Sequence, residues 1–491
     1  MSIINNKSRS VQVFWIALGK LSSFALAFVS AAILSRYLSK EDYGTYKQVM
    51  YIYSSFLLVF TAGLPDSLTY FLPKLNHAEG KSLVNQYEKL FFGLGILFSL
   101  FIYFGADEIA SVLKNEALGE ALRIYSPVPL LLLPTFCMES VYVREQKSFY
   151  IAFYTVFSRI LILSCIVLPV LLYRADCYTA LRGLVFSSFC MMIVALILIY
   201  KPYRGVKATH SSIGLKDVFK YSLPLLGGDL CMMLFSSSDQ FYVSRYFGEI
   251  VFAEFSNGFI PFPLTPMIVG AVTSVLIPLF SVVKTQEELD TAVKSWKESI
   301  KRTSILLYPL LVFSILFSLE MVTFIYGESY RNSAVYFSIS LLSNFVSAYP
   351  FVPLFLALGK MKTYTLIYFF SAISIWLTEG LCILLYPSPI LIAIVSVCNT
   401  VMTLMVFFTY IRHRLKVNPF TQEVTTILLK VLMHSMAALV IVRTCIYPWV
   451  KEESVFLILV TTFTAYYLLL ILTGRWINLN YINLLNWLKL K

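Results

Sequence analysis

Residues 388–411 read SPILIAIVSVCNTVMTLMVFFTYI, and Arg412, His413 and Arg414 follow. No side chain in the stretch is charged. As a helix it is long enough to cross a bilayer core of about 30 Å. It ends on a basic cluster, as membrane spans do on their cytoplasmic side. On its other side only Pro387, Ser388 and Pro389 separate it from a second apolar run, 363–386, which makes a tight outer turn.

Working outward, the same pattern recurs along the chain. Fourteen spans are expected, near 11–34, 45–72, 88–106, 122–142, 149–173, 178–200, 219–243, 252–280, 303–326, 333–357, 363–386, 388–411, 423–447 and 453–474. The expected fold class is an all-α polytopic membrane protein. Composition agrees: of 491 residues, 58% are hydrophobic and 13% charged, against about 45–50% and about 25% in a soluble domain. An ordinary soluble enzyme, a disordered chain and a nucleic-acid-binding domain are excluded. The basic N-terminal segment precedes an apolar run that Lys20 interrupts, so it reads as a first span and not as a cleaved signal.

The net charge of +12 is distributed unevenly. With the N-terminus inside, 25 of the 39 Lys and Arg fall in cytoplasmic segments and 8 in external ones. Lys201, Arg204, Lys207, Lys216 and Lys220 form one such cluster. This bias places both termini in the cytoplasm and requires an even number of spans. The anionic partner is then membrane lipid or a lipid-linked phosphate, with no nucleic acid. Residues 284–302 have helical spacing and charges of both signs. They fit an interfacial helix or a solvated connector equally. Residues 106–121 form a short acidic outer segment.

Ser35-Arg36-Tyr37-Leu38 ends span 1, and Ser244-Arg245-Tyr246-Phe247 ends span 7. The 209-residue offset covers six spans, so the two halves share one topology, a known transporter plan. The expected organisation is an N-lobe of helices 1–6 (1–200), a cytoplasmic linker (201–218), a C-lobe of helices 7–12 (219–411), and helices 13–14 with a C-terminal tail (412–491).

Charges within spans are costly and point to function by default. Lys20 and Arg159 lie near the middle of spans 1 and 5. Asp229 lies near the middle of span 7, and Asp239 ten residues further out. The offset makes Lys20 and Asp229 equivalent. Two readings stay open: a cationic N-lobe facing an acidic C-lobe, or a Lys20–Asp229 ion pair that only joins them. Asp66, after Gly63-Leu64-Pro65, and Glu139 are secondary cavity candidates. Lys47, Arg182 and Arg443 lie near span ends, where they can snorkel.

Catalytic signatures are missing. Gly80-Lys81-Ser82 lacks the earlier glycine of a phosphate loop, position 75 being leucine. The eight cysteines have no C-x-x-C spacing, and no metal ligand set appears. No loop has room for a catalytic domain, which argues against a polymerase or acyltransferase. No cofactor is expected beyond a coupling proton or sodium ion.

Four short motifs carry a resemblance. They are Ser35-Arg36-Tyr37-Leu38-Ser39-Lys40-Glu41-Asp42-Tyr43-Gly44, Ile277-Pro278-Leu279-Phe280-Ser281, Tyr326-Gly327-Glu328-Ser329-Tyr330 and Leu358-Gly359-Lys360. In this order and spacing the chain resembles the Wzx-type polysaccharide flippases of the multidrug/oligosaccharidyl-lipid/polysaccharide exporter superfamily. The resemblance implies two six-helix lobes and a cavity. It implies movement of undecaprenyl-pyrophosphate-linked oligosaccharide, the repeat unit of O-antigen or capsule, across a bacterial inner membrane. It makes Lys20 and Arg159 the candidates for the pyrophosphate, and Asp229 and Asp239 those for a coupling ion. Polysaccharide polymerase and glycosyltransferases are the implied partners. A multidrug or metabolite antiporter and a peptidoglycan-precursor flippase are the alternatives.

Overall fold

The computed structural model describes residues 6–173, 176–281, 283, 285–414 and 416–481. These residues form helices and loops, with no strand among them. Two compact units divide the chain, 1–253 and 254–491.

Unit 1 contains α1 (Asn6–Tyr37), α2 (Lys40–Thr61), α3 (Leu64–Phe71), α4 (His77–Phe104), α5 (Ala106–Leu113) and α6 (Ala117–Tyr125). It continues with α7 (Val128–Leu132), α8 (Cys137–Arg144), α9 (Ser148–Leu172), α10 (Cys177–Tyr200) and most of α11 (Leu215–Gly258). Unit 2 holds the end of α11, then α12 (Leu264–Ser281), α13 (Gln286–Leu316), α14 (Ser318–Tyr326), α15 (Ser333–Asn344) and α16 (Val352–Ala357). It closes with α17 (Met361–Leu385), α18 (Pro389–Arg414), α19 (Gln422–Cys445), α20 (Tyr447–Val450) and α21 (Val455–Gly474).

Ten helices among the described residues are long and apolar enough to cross a membrane, or eleven with the bent pair Lys40–Thr61 and Leu64–Lys74 counted as one span. That is fewer than the fourteen expected. The other three expected spans, 1, 8 and 10, fall on shorter apolar stretches: Leu21–Tyr37, which is the C-terminal part of the 32-residue α1, Leu264–Phe280 and Ser333–Ala348. Prolines explain span 8. Pro261 and Pro263 lie in the break between α11 and α12, where each lacks the N–H a continuous helix needs. The start of that expected span therefore belongs to α11.

Both charged segments are helical. The helical spacing read in 284–302 is realised from Gln286 onward. A capping box, Thr285 with Glu288, starts α13, which runs unbroken from Gln286 into the span. Trp296 is buried on its inner face and donates from Nε1 to the Pro350 carbonyl at 2.8 Å. The acidic outer segment is also helical, forming α5 and the start of α6, and Asp107 pairs with Arg123.

The repeat coincides with the breaks. Ser39 separates α1 from α2, and the residue 209 positions later is Gly248, the one kink within α11. Gly248 has φ 80° and ψ 177°, a conformation that costs other residues dearly. Long apolar side chains point outward along α9 and α17, such as Leu168, Leu172, Phe370 and Leu384. A lipid-facing surface needs this pattern, while the backbone polar groups stay bonded within each helix.

Candidate functional site

Unit 1 assembles its in-span charges on two seams. The first joins α1 and α9. Trp15 meets Phe149 edge-on at 5.1 Å, and Gly19 lies so close to Ala152 that a Cβ there would sit 3.0 Å from the Ala152 Cα. Small residues of this kind let membrane helices approach. Further along the seam, Arg159 Nε donates to Ser23 Oγ at 2.7 Å. Tyr46 of α2 is near enough to interact electrostatically with the guanidinium. Arg159 is accessible, and no carboxylate pairs with it among the described residues. Lys20 is three residues before Ser23, one turn of α1. Its side chain lies outside the described residues, as does any Lys20–Asp229 ion pair.

The second seam joins α3 and α11, and it starts from a break. Ala62 and Gly63 take left-handed conformations, φ 50° and 67°, and the chain bends by 46°. Gly63 packs under the Ser222 carbonyl, where a Cβ would come within 2.9 Å. Pro65 opens α3, and Asp66 lies in its first turn, where the helix dipole favours a carboxylate. Tyr70 stacks on Tyr221 with ring centroids 4.4 Å apart, and Lys74 Nζ caps the Tyr70 ring at 3.2 Å. This packing brings Asp66 within electrostatic reach of Asp229, which is half-buried on α11. The two carboxylates, read separately from sequence, thus share one neighbourhood.

The remaining candidates stand apart. Asp239 is buried and accepts from the Gln240 N–H at 2.7 Å. Ten residues along a helix are about 15 Å, so it does not join Asp229. Glu139 is exposed at the start of α8. Arg144 does not meet it; that guanidinium pairs with Glu145 at 3.2 Å and donates to the Leu75 carbonyl at 3.0 Å.

Sequence reasoning passed over Glu88. It is 4% exposed on α4, with the Cys137 thiol beside it, and neither carboxylate oxygen accepts from an N–H or O–H among the described residues. Its available signal was periodicity: Leu83, Val84, Tyr87, Phe91 and Phe98 mark the same buried face.

The first sequence motif is a structural joint. The Ser39 hydroxyl accepts from the Asp42 N–H at 3.0 Å and caps α2. Asp42 Oδ1 in turn accepts from the Cys177 N–H at 3.1 Å and fixes the start of α10. Gly44 lies against the Glu249 backbone, where a Cβ would come within 2.1 Å of the carbonyl oxygen. Beside it, Gln48 donates to Ser244 Oγ at 2.8 Å and accepts from Asn115 Nδ2 at 2.6 Å, a buried polar chain.

Unit 2 treats its charges differently. Arg443 of α19 lies 3.5 Å from Glu320 Oε1 of α14, and its guanidinium stacks over Tyr447 at 3.6 Å. Tyr447 OH donates to the same Glu320 oxygen at 3.1 Å. Arg443 therefore ties the last helix pair to α14 and does not merely snorkel. Asn399 bridges α17 and α18, accepting from Ser374 at 3.0 Å and donating to Thr378 at 2.9 Å.

Comparison with known proteins places this geometry. ExoT, a succinoglycan biosynthesis transport protein of Rhizobium meliloti (strain 1021), is 23% identical over 312 residues, 63% of this chain. The match spans 60% of that protein's length. Among solved structures, the lipid II flippase MurJ in an inward closed conformation has a TM-score of 0.69 at 14% identity, covering 94% of this chain and 99% of MurJ. An inward-facing multidrug resistance MATE family transporter of the MOP superfamily has a TM-score of 0.61 at 16% identity, covering 81% of this chain and 94% of its own. A MOP superfamily transporter from Pyrococcus furiosus Vc1 (DSM3638) reaches 0.58 at 15% identity, over 84% and 97%. At such identities the likeness is one of fold. The family model for polysaccharide biosynthesis proteins matches residues 33–335, more than half of the chain, and the chain belongs to that family.

Proposed function

We propose that this chain is a flippase for undecaprenyl-pyrophosphate-linked oligosaccharide repeat units. It moves them from the cytoplasmic to the periplasmic leaflet of a bacterial inner membrane, with both its termini in the cytoplasm. The observation that carries the reading is Arg159, an accessible mid-span guanidinium held by a neutral hydroxyl and not by an acid. An uncompensated cation in a membrane is expensive and is kept where an anion comes to it. Pyrophosphate supplies that anion through charge-assisted hydrogen bonds, which offset its lost hydration. Lys20, one turn from Ser23, adds the second cation. Family membership and the name of the succinoglycan relative support a polysaccharide cargo.

Alternating access of the two six-helix lobes, with the last helix pair appended, completes the cycle. Asp66 and Asp229 supply the coupling site. Two neighbouring carboxylates repel, so a proton or sodium ion between them stabilises whichever state brings them together. Polysaccharide polymerase and glycosyltransferases act before and after this step.

The same acidic pair favours a second reading, a cation-coupled drug or metabolite antiporter, and the MATE-like fold is compatible with it. Likeness to MurJ keeps a peptidoglycan-precursor flippase as a variant. Deletion of the gene separates the three. Loss of surface polysaccharide with accumulation of lipid-linked repeat units is the expected result. Intact polysaccharide with new drug sensitivity would identify an antiporter, and lethality with lipid II accumulation the peptidoglycan variant.

A further inference from the structure

The N-terminal half of α13 carries a charge pattern that the transport reading does not use. Lys294, Lys297 and Lys301 are three and four residues apart and share one helix face. Opposite them α12 presents Val272, Val275, Leu276 and Leu279, and the two helices bound a cavity of about 510 Å³ within unit 2. One wall is hydrocarbon; the other is polar, with Lys294, Lys297, Lys301 and Arg302 outnumbering Glu298 and Glu423.

The cations are not equivalent. Lys301 Nζ lies 3.2 Å from both Glu298 and Glu423, and Arg302 Nε lies 2.9 Å from Glu298. Glu298 and Glu423 already neutralise those two. Lys294 is exposed and Lys297 half-buried, and neither has an acidic partner among the described residues. Buried Trp296, anchored to the Pro350 carbonyl between them in sequence, holds this stretch of helix in place.

We propose that this cavity binds an anionic glycerophospholipid, its phosphate on Lys294 and Lys297 and its first acyl methylenes along α12. Both walls are needed to reach this occupant. A free phosphate would use only the lysines, and a neutral lipid only the valines and leucines. Val275 and Leu279 are exposed, as positions that meet bilayer chains are. The leaflet rests on the proposed topology, which puts this end of α13 on the cytoplasmic side, where anionic lipid attracts basic segments. The lipid is a resident of the protein and not its cargo, whose cations lie in unit 1.

Native mass spectrometry of the full chain in mild detergent tests this directly. Phosphatidylglycerol is titrated against phosphatidylethanolamine, undecaprenyl phosphate and inorganic pyrophosphate. The wild type is expected to retain phosphatidylglycerol at least tenfold more tightly than phosphatidylethanolamine. Lys294→Gln with Lys297→Gln weakens that binding roughly thirtyfold, and Val275→Asn weakens it with the lysines intact. Equal binding by wild type and double variant overturns the proposal. Displacement by inorganic pyrophosphate marks a bare phosphate site, and preference for undecaprenyl phosphate marks a cargo dock; either also overturns it. Binding is read without transport, so failure here leaves the flippase reading standing, and the reverse holds as well.

Discussion

Arg159 in unit 1 and Arg443 in unit 2 are both arginines on apolar helices, and their partners differ in charge. Arg159 is held by the Ser23 hydroxyl, which orients it and leaves its charge intact. Arg443 is matched by Glu320 and covered by Tyr447, so its charge is consumed locally. Arg159 lies near the middle of its helix and Arg443 near the end of its own, and the partner adds a second distinction. A neutral partner leaves a cation for a ligand, whereas an acidic one makes a strut.

The largest expected effect breaks the first half of this comparison. Arg159→Ala removes a charge-assisted contact to phosphate, worth about 1.5–3 kcal/mol. Polysaccharide export should fall roughly 10- to 100-fold by that figure, with the melting temperature of purified protein nearly unchanged. Arg159→Lys should recover part of the export, since the charge returns without the planar fork. Wild-type export by Arg159→Ala at normal expression would remove the site.

Arg443→Ala probes the other half. It strands Glu320 and should lower stability by about 2 kcal/mol, read by denaturation in detergent, while transport per folded molecule persists. If Arg443→Ala instead stops transport without loss of stability, the contrast between the units fails. A smaller effect is expected at the acidic seam. Asp229→Asn should leave translocation measurable but insensitive to an imposed proton or sodium gradient, and an unaltered gradient response would remove the coupling role. Smallest is Glu88→Met. A buried carboxyl without a partner costs free energy, so this near-isosteric change should stabilise the protein by about 1 kcal/mol. A lower melting temperature would show that Glu88 is bonded in a way the packing does not reveal.

Sequence periodicity and charge sufficed for the helical membrane fold and for placing Arg159 near the middle of a helix, because depth in a span is set by counting residues from its ends. The Gly248 kink lies one offset of 209 after Ser39, a correspondence that appears only once the helix breaks are known. What stayed hidden depended on side-chain partners or on proline. Lys89 beside Glu88 imitates a membrane boundary, so a buried acid passed for an interfacial one. The Asp42-Tyr43-Gly44 motif was visible as a pattern, but its capping of α10 joins residues 135 positions apart. Asp66 comes within electrostatic reach of Asp229 because the Gly63 bend packs the start of α3 against α11. In span 8 the apolar pattern passes through prolines that a helix cannot, so the pattern alone overstates its length.

In the proposed function a cation left without an acidic partner in unit 1 carries a phosphate-bearing lipid across the membrane. Purified wild type, Arg159→Ala and Arg443→Ala, reconstituted in vesicles with a fluorescent lipid-linked pyrophosphoryl oligosaccharide, test it by leaflet-selective quenching. Translocation is expected at comparable rates from wild type and folded Arg443→Ala, and roughly 10- to 100-fold more slowly from Arg159→Ala. Equal translocation by Arg159→Ala and wild type would contradict it.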